Sequence, residues 1–411
     1  MIFNMIGSNG PLLKSTIIVS VSTESTVGAY TDAACTTLVK TATERSEGEF
    51  WITGLDNGLY YIKATKNTDE SIVSYTINEF GVYRIRMIYR TVPEFSYSGL
   101  YELVHDDDTL IDTSSQSDLQ GSWKIRFLTS GDLSFTNMYN SVNSIDVFLV
   151  GAGGGGGGAT SGAGGGGGGG YTDTHRGVAV STNTVYPIII GNGGGLRADG
   201  GSSSGFGYTA NGGAHGAQGA NAGGAGGSGG GAGSTSTGGA GGSDGSNGSN
   251  AGSSGTIAGG AGQGTTTREF GGYTNTVSSV PSSTTLVLVT TPTTVEQAFL
   301  VSGKYLTIGD RSGSTGNTGV YPISSFDAST NTVTLSTTIT ATVGDVVRFG
   351  NLYSGGGGGA VGGAGGAGGG ATAGSSAAVQ GNTGGGGAGG ASSVTTAQAG
   401  ASGIVIIRNA R

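Results

Sequence analysis

The chain has 411 residues, enough for two or three domains and at least one substantial core. Charged residues make up 11% of it, and Lys plus Arg at 18 against Asp plus Glu at 26 give a net charge of -8, a balance that repels phosphate and argues against nucleic acid as a partner. The one cysteine, Cys35, excludes an intrachain disulfide, and 89 glycines beside 6 prolines, without an unbroken Gly-X-Y repeat, exclude collagen.

Residues 1–22 have neither a basic n-region nor a long apolar core, so no signal peptide is expected. No apolar run approaches the ~18 residues that span a bilayer, and no membrane insertion is expected. Residues 1–92 read as a β-sandwich, with candidate strands at 16–21, 26–30, 48–53, 59–64, 71–77 and 82–88, rich in Val, Ile, Thr and Tyr. Asn57-Gly58 offers the positive φ of a tight turn between Phe50-Trp51-Ile52 and Leu59-Tyr60-Tyr61-Ile62. The stretch resembles the signature of prealbumin-like, CnaB-type sandwiches, and the resemblance implies an attachment or spacer domain.

A second unit begins near Pro93, with strands expected at 95–104, 122–128, 132–136 and 145–150. Glycine runs follow at 153–158 and 164–170, then a Gly/Ala/Ser/Asn tract at 191–264, and further runs at 355–359 and 384–387 before a terminal strand at 404–407. Between 273 and 352 the glycine content collapses and strands appear at 286–289, 305–308, 332–335 and 346–349, which reads as an inserted β module. The expected organisation is a sandwich at 1–92, a glycine-rich domain in two parts at 93–272 and 353–411, and the insert at 273–352.

By composition alone the glycine tract is a flexible linker. Its periodicity favours order. Val361, Ala364 and Ala367 recur every third residue, as do Ala222, Ala225 and Ser228, and Gly242, Gly245 and Gly248. Three residues per turn is the polyproline II repeat, which makes no internal hydrogen bonds, so packed copies must satisfy each N–H and C=O through their neighbours. Only glycine lets backbones approach that closely. A bundle of polyglycine II helices is expected, anchored by the strands at 145–150, 185–190 and 404–407.

The ordered series Trp123-Lys124-Ile125-Arg126-Phe127, Asp146-Val147-Phe148-Leu149-Val150-Gly151, Tyr186-Pro187-Ile188-Ile189-Ile190-Gly191, Arg268-Glu269-Phe270-Gly271, Tyr353-Ser354-Gly355 and Gly403-Ile404-Val405-Ile406-Ile407-Arg408 resembles the glycine-rich domain of phage tail-fibre and tail-tip proteins. A related architecture, the polyglycine II sandwich, belongs to the distal tail-fibre adhesins of T-even phages, whose inter-helix loops contact the host. The resemblance covers 93–411 and implies an all-β, non-enzymatic structural protein of the virion tail, made in the host cytoplasm. Its implied partners are a bacterial surface receptor, glycan or protein, and other tail proteins; a homotrimer is an option that no heptad or triple-helix repeat requires. Those adhesins have no counterpart of the 273–352 insert. The alternatives are an ice-binding polyglycine II protein, which would have no use for the sandwich or the insert, and a tail-borne glycan depolymerase.

No catalytic residue, metal ligand or cofactor is assigned. His105, His175 and His215 are isolated and read as exposed loop residues. Asp106-Asp107-Asp108, with Asp112 beyond, lacks the alternating ligands of a calcium loop and reads as a solvated turn. Nothing in the spacing of Glu94, Glu102, Asp310 and Asp327 favours a glycosidase pair. The receptor-binding candidates are side chains that interrupt glycine: His175, Arg176, Leu196, Arg197, Phe206, Tyr208, His215, Gln218, Asn247, Asn250, Gln380 and Asn382. The plainer alternative is that Phe206 and Tyr208 pin loop ends. Loops of the insert add Lys304, Asp310, Arg311, Asn317 and Tyr321, and the insert is expected at or near the host-facing end.

Overall fold

The computed structural model describes residues 15–20, 25–46, 49–66, 69–79, 81–86, 92–114, 119, 121–138, 143–158, 164–218, 222–233, 237–242, 248, 258–259, 267–309, 319–359, 363–375, 380–390 and 397–410. It is all-β apart from short helical turns. The chain forms two compact units, one of Met1–Glu94, Ile111–Gly121 and Asn137–Asn143, the other of Phe95–Leu110, Ser122–Thr136 and Ser144–Arg411.

The first unit contains β1 (Ser15–Ser20), β2 (Thr26–Tyr30), β3 (Leu38–Thr41), β4 (Thr43–Ser46), β5 (Glu49–Leu55), β6 (Gly58–Lys66), β7 (Asp69–Ile77) and β8 (Val82–Arg86). They make two four-stranded sheets, in the orders β4-β5-β1-β8 and β3-β2-β6-β7. Alternate residues such as Ile17, Val19, Phe50, Ile52, Tyr60 and Ile62 fill the core between them. Two features differ from expectation. β5 and β6 lie in different sheets, so Asn57-Gly58 is a crossover, not a hairpin; Asn57 does not take a positive φ, and its Nδ2 donates to Asn78 O at 2.7 Å. The edge strand β3 carries no buried alternation, which is why its sequence does not announce it; Leu38 is 52% exposed.

The second unit opens with β9 (Glu94–Tyr97), β10 (Tyr101–Val104), β11 (Lys124–Phe127), β12 (Gly131–Asn137), β13 (Ser144–Val150), β14 (Thr172–Ala179), β15 (Val185–Ile188) and the hairpin of β16 (Ser203–Gly205) and β17 (Tyr208–Ala210). The insert supplies β18 (Tyr273–Ser282), β19 (Thr285–Leu288), a helical turn α1 (Thr294–Gln297), β20 (Tyr305–Gly309), β21 (Gly319–Asp327), β22 (Thr332–Leu335) and β23 (Val346–Phe349), and the chain closes on β24 (Ile404–Asn409). The main sheet runs β10-β11-β24-β13-β14, so the last strand is held between two earlier ones, and a second sheet runs β15-β12-β9. The strand expected at 95–104 is interrupted at Gly99, where a Cβ would lie 2.8 Å from Ser130 O. β14, rich in Thr, Asp, His and Arg, has no apolar alternation and was not foreseen.

From β13 the chain runs into the glycine lattice, where hydrogen-bond direction turns with a period of three. The amides of Gly151, Gly154 and Gly157 donate to the carbonyls of Tyr171, Gly168 and Gly165 at 2.9, 2.9 and 2.8 Å. Those of Ala152 and Gly155 donate to Gly201 and Ala198, and those of Gly153 and Gly156 to Ala401 and Gln398. The carbonyls of the same segment accept from three further segments, at 194–197, 213–216 and 387–390. Six neighbours with a threefold repeat define a polyglycine II helix in a lattice. Segment 164–170 is surrounded in the same way, its amides bonding to 384–390, 214–217 and 228–231. Ala222, Ala225 and Ser228, Ala364 and Ala367, and Gly242 and Gly248 lie within this unit; Val361 and Gly245 fall outside the described residues.

These registers give the lattice two ends. Gly151, Tyr171, Gly191 and Gly403 lie at the sheet end, whereas Gly157, Gly165, Arg197, Ala217 and Gly390 lie at the far end. The insert leaves and rejoins the chain at the sheet end, where Ser354 Oγ donates to Gly170 O. It is a closed barrel of order β18-β19-β22-β21-β20-β23 around Leu286, Leu306, Ile308, Val333, Val347 and Phe349. Thr293 and Glu296 form a capping box on α1. Tyr321, expected in a loop, lies in β21; Asp310, Arg311 and Asn317 lie outside the described residues.

Candidate functional site

Alternation in β11 puts Trp123, Ile125 and Phe127 on the inner face of the main sheet and Lys124 and Arg126 on the other. That second face also carries Asp146 and Phe148 of β13 and Ile406 and Arg408 of β24, whose residues pair as Lys124 with Arg408, Asp146 with Arg408 and Phe148 with Ile406. It is covered by the neck of the barrel, residues 268–271 and 350–353. Phe270, held at φ 51, packs on Phe148 with ring centroids 5.8 Å apart, and the Arg408 guanidinium lies 4.2 Å from its ring.

Glu269 is the hub of the buried charges beneath this neck. Its carboxylate accepts from Lys124 Nζ at 2.7 Å, Asn351 Nδ2 at 2.9 Å, Tyr353 Oη at 3.0 Å and Arg126 Nη2 at 3.4 Å. Asp108 accepts from Lys124 Nζ at 2.6 Å, from Asn351 Nδ2 at 2.7 Å and from Arg126. Burial opposes ionisation of Glu269, but Lys124 and Arg126 outweigh it and hold the carboxyl well below the usual range. Burial, reinforced by Glu269, pushes the Tyr353 phenol well above its ordinary value. Beside this hub Asp146 accepts from Arg176 Nη1 and Arg408 Nε, both at 3.1 Å, and from the Gly177 amide at 3.1 Å. Arg268 spans the neck, donating to Gly350 O at 2.8 Å and Thr307 Oγ1 at 2.7 Å.

At the sheet end a cleft of 870 Å³ opens between the main sheet, the barrel and the glycine turn at 365–372. At the far end the turn 195–198 presents Leu196, 40% exposed, and Arg197 at φ 60. The Gln218 amide, with its oxygen toward the guanidinium, accepts from Arg197 at 2.9 and 3.1 Å. His215, one turn nearer the sheet, bonds Asp199 at 2.6 Å and holds that carboxyl below its ordinary value.

The other candidates scatter. His175 and Tyr208 stack with centroids 3.5 Å apart and rings 13° from parallel, and Phe206, at φ 56 in the hairpin turn, packs on Tyr186; both aromatics pin the β16–β17 hairpin. Arg176 is a tether, donating to Phe270 O at 2.8 Å. Asn382 ties Leu128 O and Gly403 O together at 2.9 and 3.0 Å, and Gln380 O accepts from Thr383. Lys304 turns inward to Asn351 Oδ1 at 2.7 Å, and burial lowers its pKa. Asn247 and Asn250 lie outside the described residues. The acidic turn was misread as solvated: Asp108 belongs to the buried hub, and Asp106 O accepts from Lys124. The hub itself was missed, although charges alternating with large apolar residues in Trp123-Lys124-Ile125-Arg126-Phe127 signal a strand with a charged, covered face.

Fold and site together define a β-sheet-anchored polyglycine II lattice carrying an inserted barrel. The chain belongs to the glycine-rich domain family, which matches residues 129–410, a span that includes the barrel. No curated protein and no solved structure matches it. Among the described residues no helix is long and apolar enough to cross a membrane.

Proposed function

We propose that the chain is a structural protein of a bacteriophage tail that binds a host receptor through the turns at the far end of its lattice. The observation that carries this reading is the division of labour within the lattice. Its rods are held mainly by backbone hydrogen bonds, so exposed turn side chains such as Leu196, Arg197 and Gln218 are displayed on a rigid frame whose cohesion does not rest on them. The resemblance of the motif series to tail-fibre and tail-tip proteins supplies the biological setting. The barrel joins at the sheet end, so on this reading recognition rests on the turns and not on the insert.

The test is adsorption competition. Purified protein should block phage adsorption to susceptible strains of a bacterial panel, and Leu196→Ser with Arg197→Ala should lose most of that block while melting like wild type. A folded double variant that competes as well as wild type would overturn the reading.

A further inference from the structure

The 870 Å³ cleft at the sheet end lies within the ~300–1,000 Å³ range of small-molecule sites, and the lattice does not require it. Its walls come from three places: Glu102 and Arg126 on the main sheet, Lys304 and Tyr305 on the barrel, and the turn 365–372 with Gln380 beside it.

Donors and acceptors both remain available there. Among the described residues the amides of Ala367, Gly368 and Gly369 have no acceptor. Gly368 and Gly369 both have φ 99, a conformation glycine alone adopts readily, and a Cβ on Gly369 would meet Thr383 Oγ1 at 2.1 Å. Glu102, its side chain 46% exposed, stands 4.0 Å from Arg126 and offers an acceptor on the main-sheet wall, across from the glycine turn. The formal charges of Arg126 and Lys304 are balanced by those of Glu102 and Asp108. A recess without net charge and rich in both kinds of hydrogen-bonding group does not select an anion or an acyl chain. It suits a ligand with hydroxyls on every side, and Tyr305 adds an amphipathic ring.

We propose that this cleft is a saccharide-binding site that takes a short segment of neutral oligosaccharide. It is separate from the far-end turns and does not depend on them. Full-length protein would be screened against an array of neutral hexose and N-acetylhexosamine trimers and tetramers, and the hits titrated by calorimetry. The double substitution Glu102→Ala with Gln380→Ala should weaken the hits by about tenfold or more, as expected for the loss of one or two hydrogen bonds. Ser302→Trp should block the cleft, and Val289→Ser, on the exposed outside of the barrel, should leave binding unchanged. If Ser302→Trp does not fold, the alanine pair decides. The proposal is overturned if no neutral glycan binds, if only sulfated or phosphorylated glycans bind and salt abolishes their binding, or if the folded cleft variants keep wild-type affinity. Far-end variants in adsorption assays report on the receptor reading separately.

Discussion

Gly156 sits in the middle of the central rod, and its replacement by alanine tests whether the glycine tract is a lattice. A Cβ there would stand 1.9 Å from Ala388 O and 2.4 Å from Ala388 C, both backbone atoms that cannot rotate away. Ordinary contact would need the rods to separate by roughly 1.5 Å, which takes a 2.9 Å hydrogen bond beyond its range. The bonds at risk are the two that join these rods, Gly387 N to Gly154 O at 2.8 Å and Gly390 N to Gly157 O at 3.0 Å, together with Gly156 N to Gln398 O at 2.9 Å. Losing two or three buried bonds at about 1–3 kcal/mol each, less ~0.4–1 kcal/mol recovered from the unfolded chain, leaves a net loss of roughly 1–9 kcal/mol. Gly195, in the far-end turn, is the internal control, because a Cβ there meets nothing within 4 Å. Gly195→Ala should therefore be neutral or slightly stabilising, while Gly156→Ala melts many degrees lower and Gly156→Val fails to accumulate as folded protein. Urea unfolding of both alanine variants measures the difference, and hydrogen exchange of amides 152–157 measures lattice protection. If the two variants unfold together, or those amides exchange freely in the wild type, the tract is a linker.

Glu269→Ala should leave Lys124 and Arg126 buried without their main counter-charge and cost about 3–5 kcal/mol in urea unfolding, with Glu269→Gln losing less because an amide oxygen still accepts. Since the folded pKa of Glu269 lies below its unfolded value, the unfolded chain takes up the proton first; the stability it contributes is complete above about pH 5 and falls as pH drops through the carboxylate range, a slope that Glu269→Gln should flatten. Tyr208→Ala removes the stack on His175 and should cost about 1–3 kcal/mol while leaving the glycine amides protected in hydrogen exchange.

What the sequence made legible was repetition and contrast. Period three exposed the lattice, because Ala222, Ala225 and Ser228 fall where the threefold rods repeat. The loss of glycine after Gly272 exposed the barrel, and the apolar run 404–407 exposed the buried last strand. What stayed hidden depends on partners far away in the chain. Glu269 and Lys124 are 145 residues apart, and neither reads as half of a buried pair until the barrel neck is folded over β11. Hairpin and crossover look alike at Asn57-Gly58, since both place a turn between two apolar runs, and only the division of β5 and β6 between sheets separates them. Tyr208 and Arg176 are conspicuous as bulky residues amid glycine, and only the folded chain shows that Tyr208 pins a hairpin and Arg176 ties the barrel neck.

The lattice and the neck solve opposite packing problems. Within the lattice, only small side chains are buried and cohesion is distributed over many equivalent backbone bonds, so a side-chain substitution in a turn such as 195–198 changes the surface and leaves the rods in place. At the neck, cohesion is concentrated in one set of desolvated charges, Lys124, Arg126, Asp108 and Glu269, whose geometry requires each member. A barrel on a chain excursion between Arg268 and Leu352 would swing freely if only two peptide links held it. The charges and the buried Arg268 instead fix its base to the sheet, which keeps the cleft walls in register. Variation in the far-end turns is thus decoupled from folding, whereas the barrel can be exchanged only with its neck, Arg268-Glu269-Phe270 and Asn351-Leu352-Tyr353, carried along unchanged.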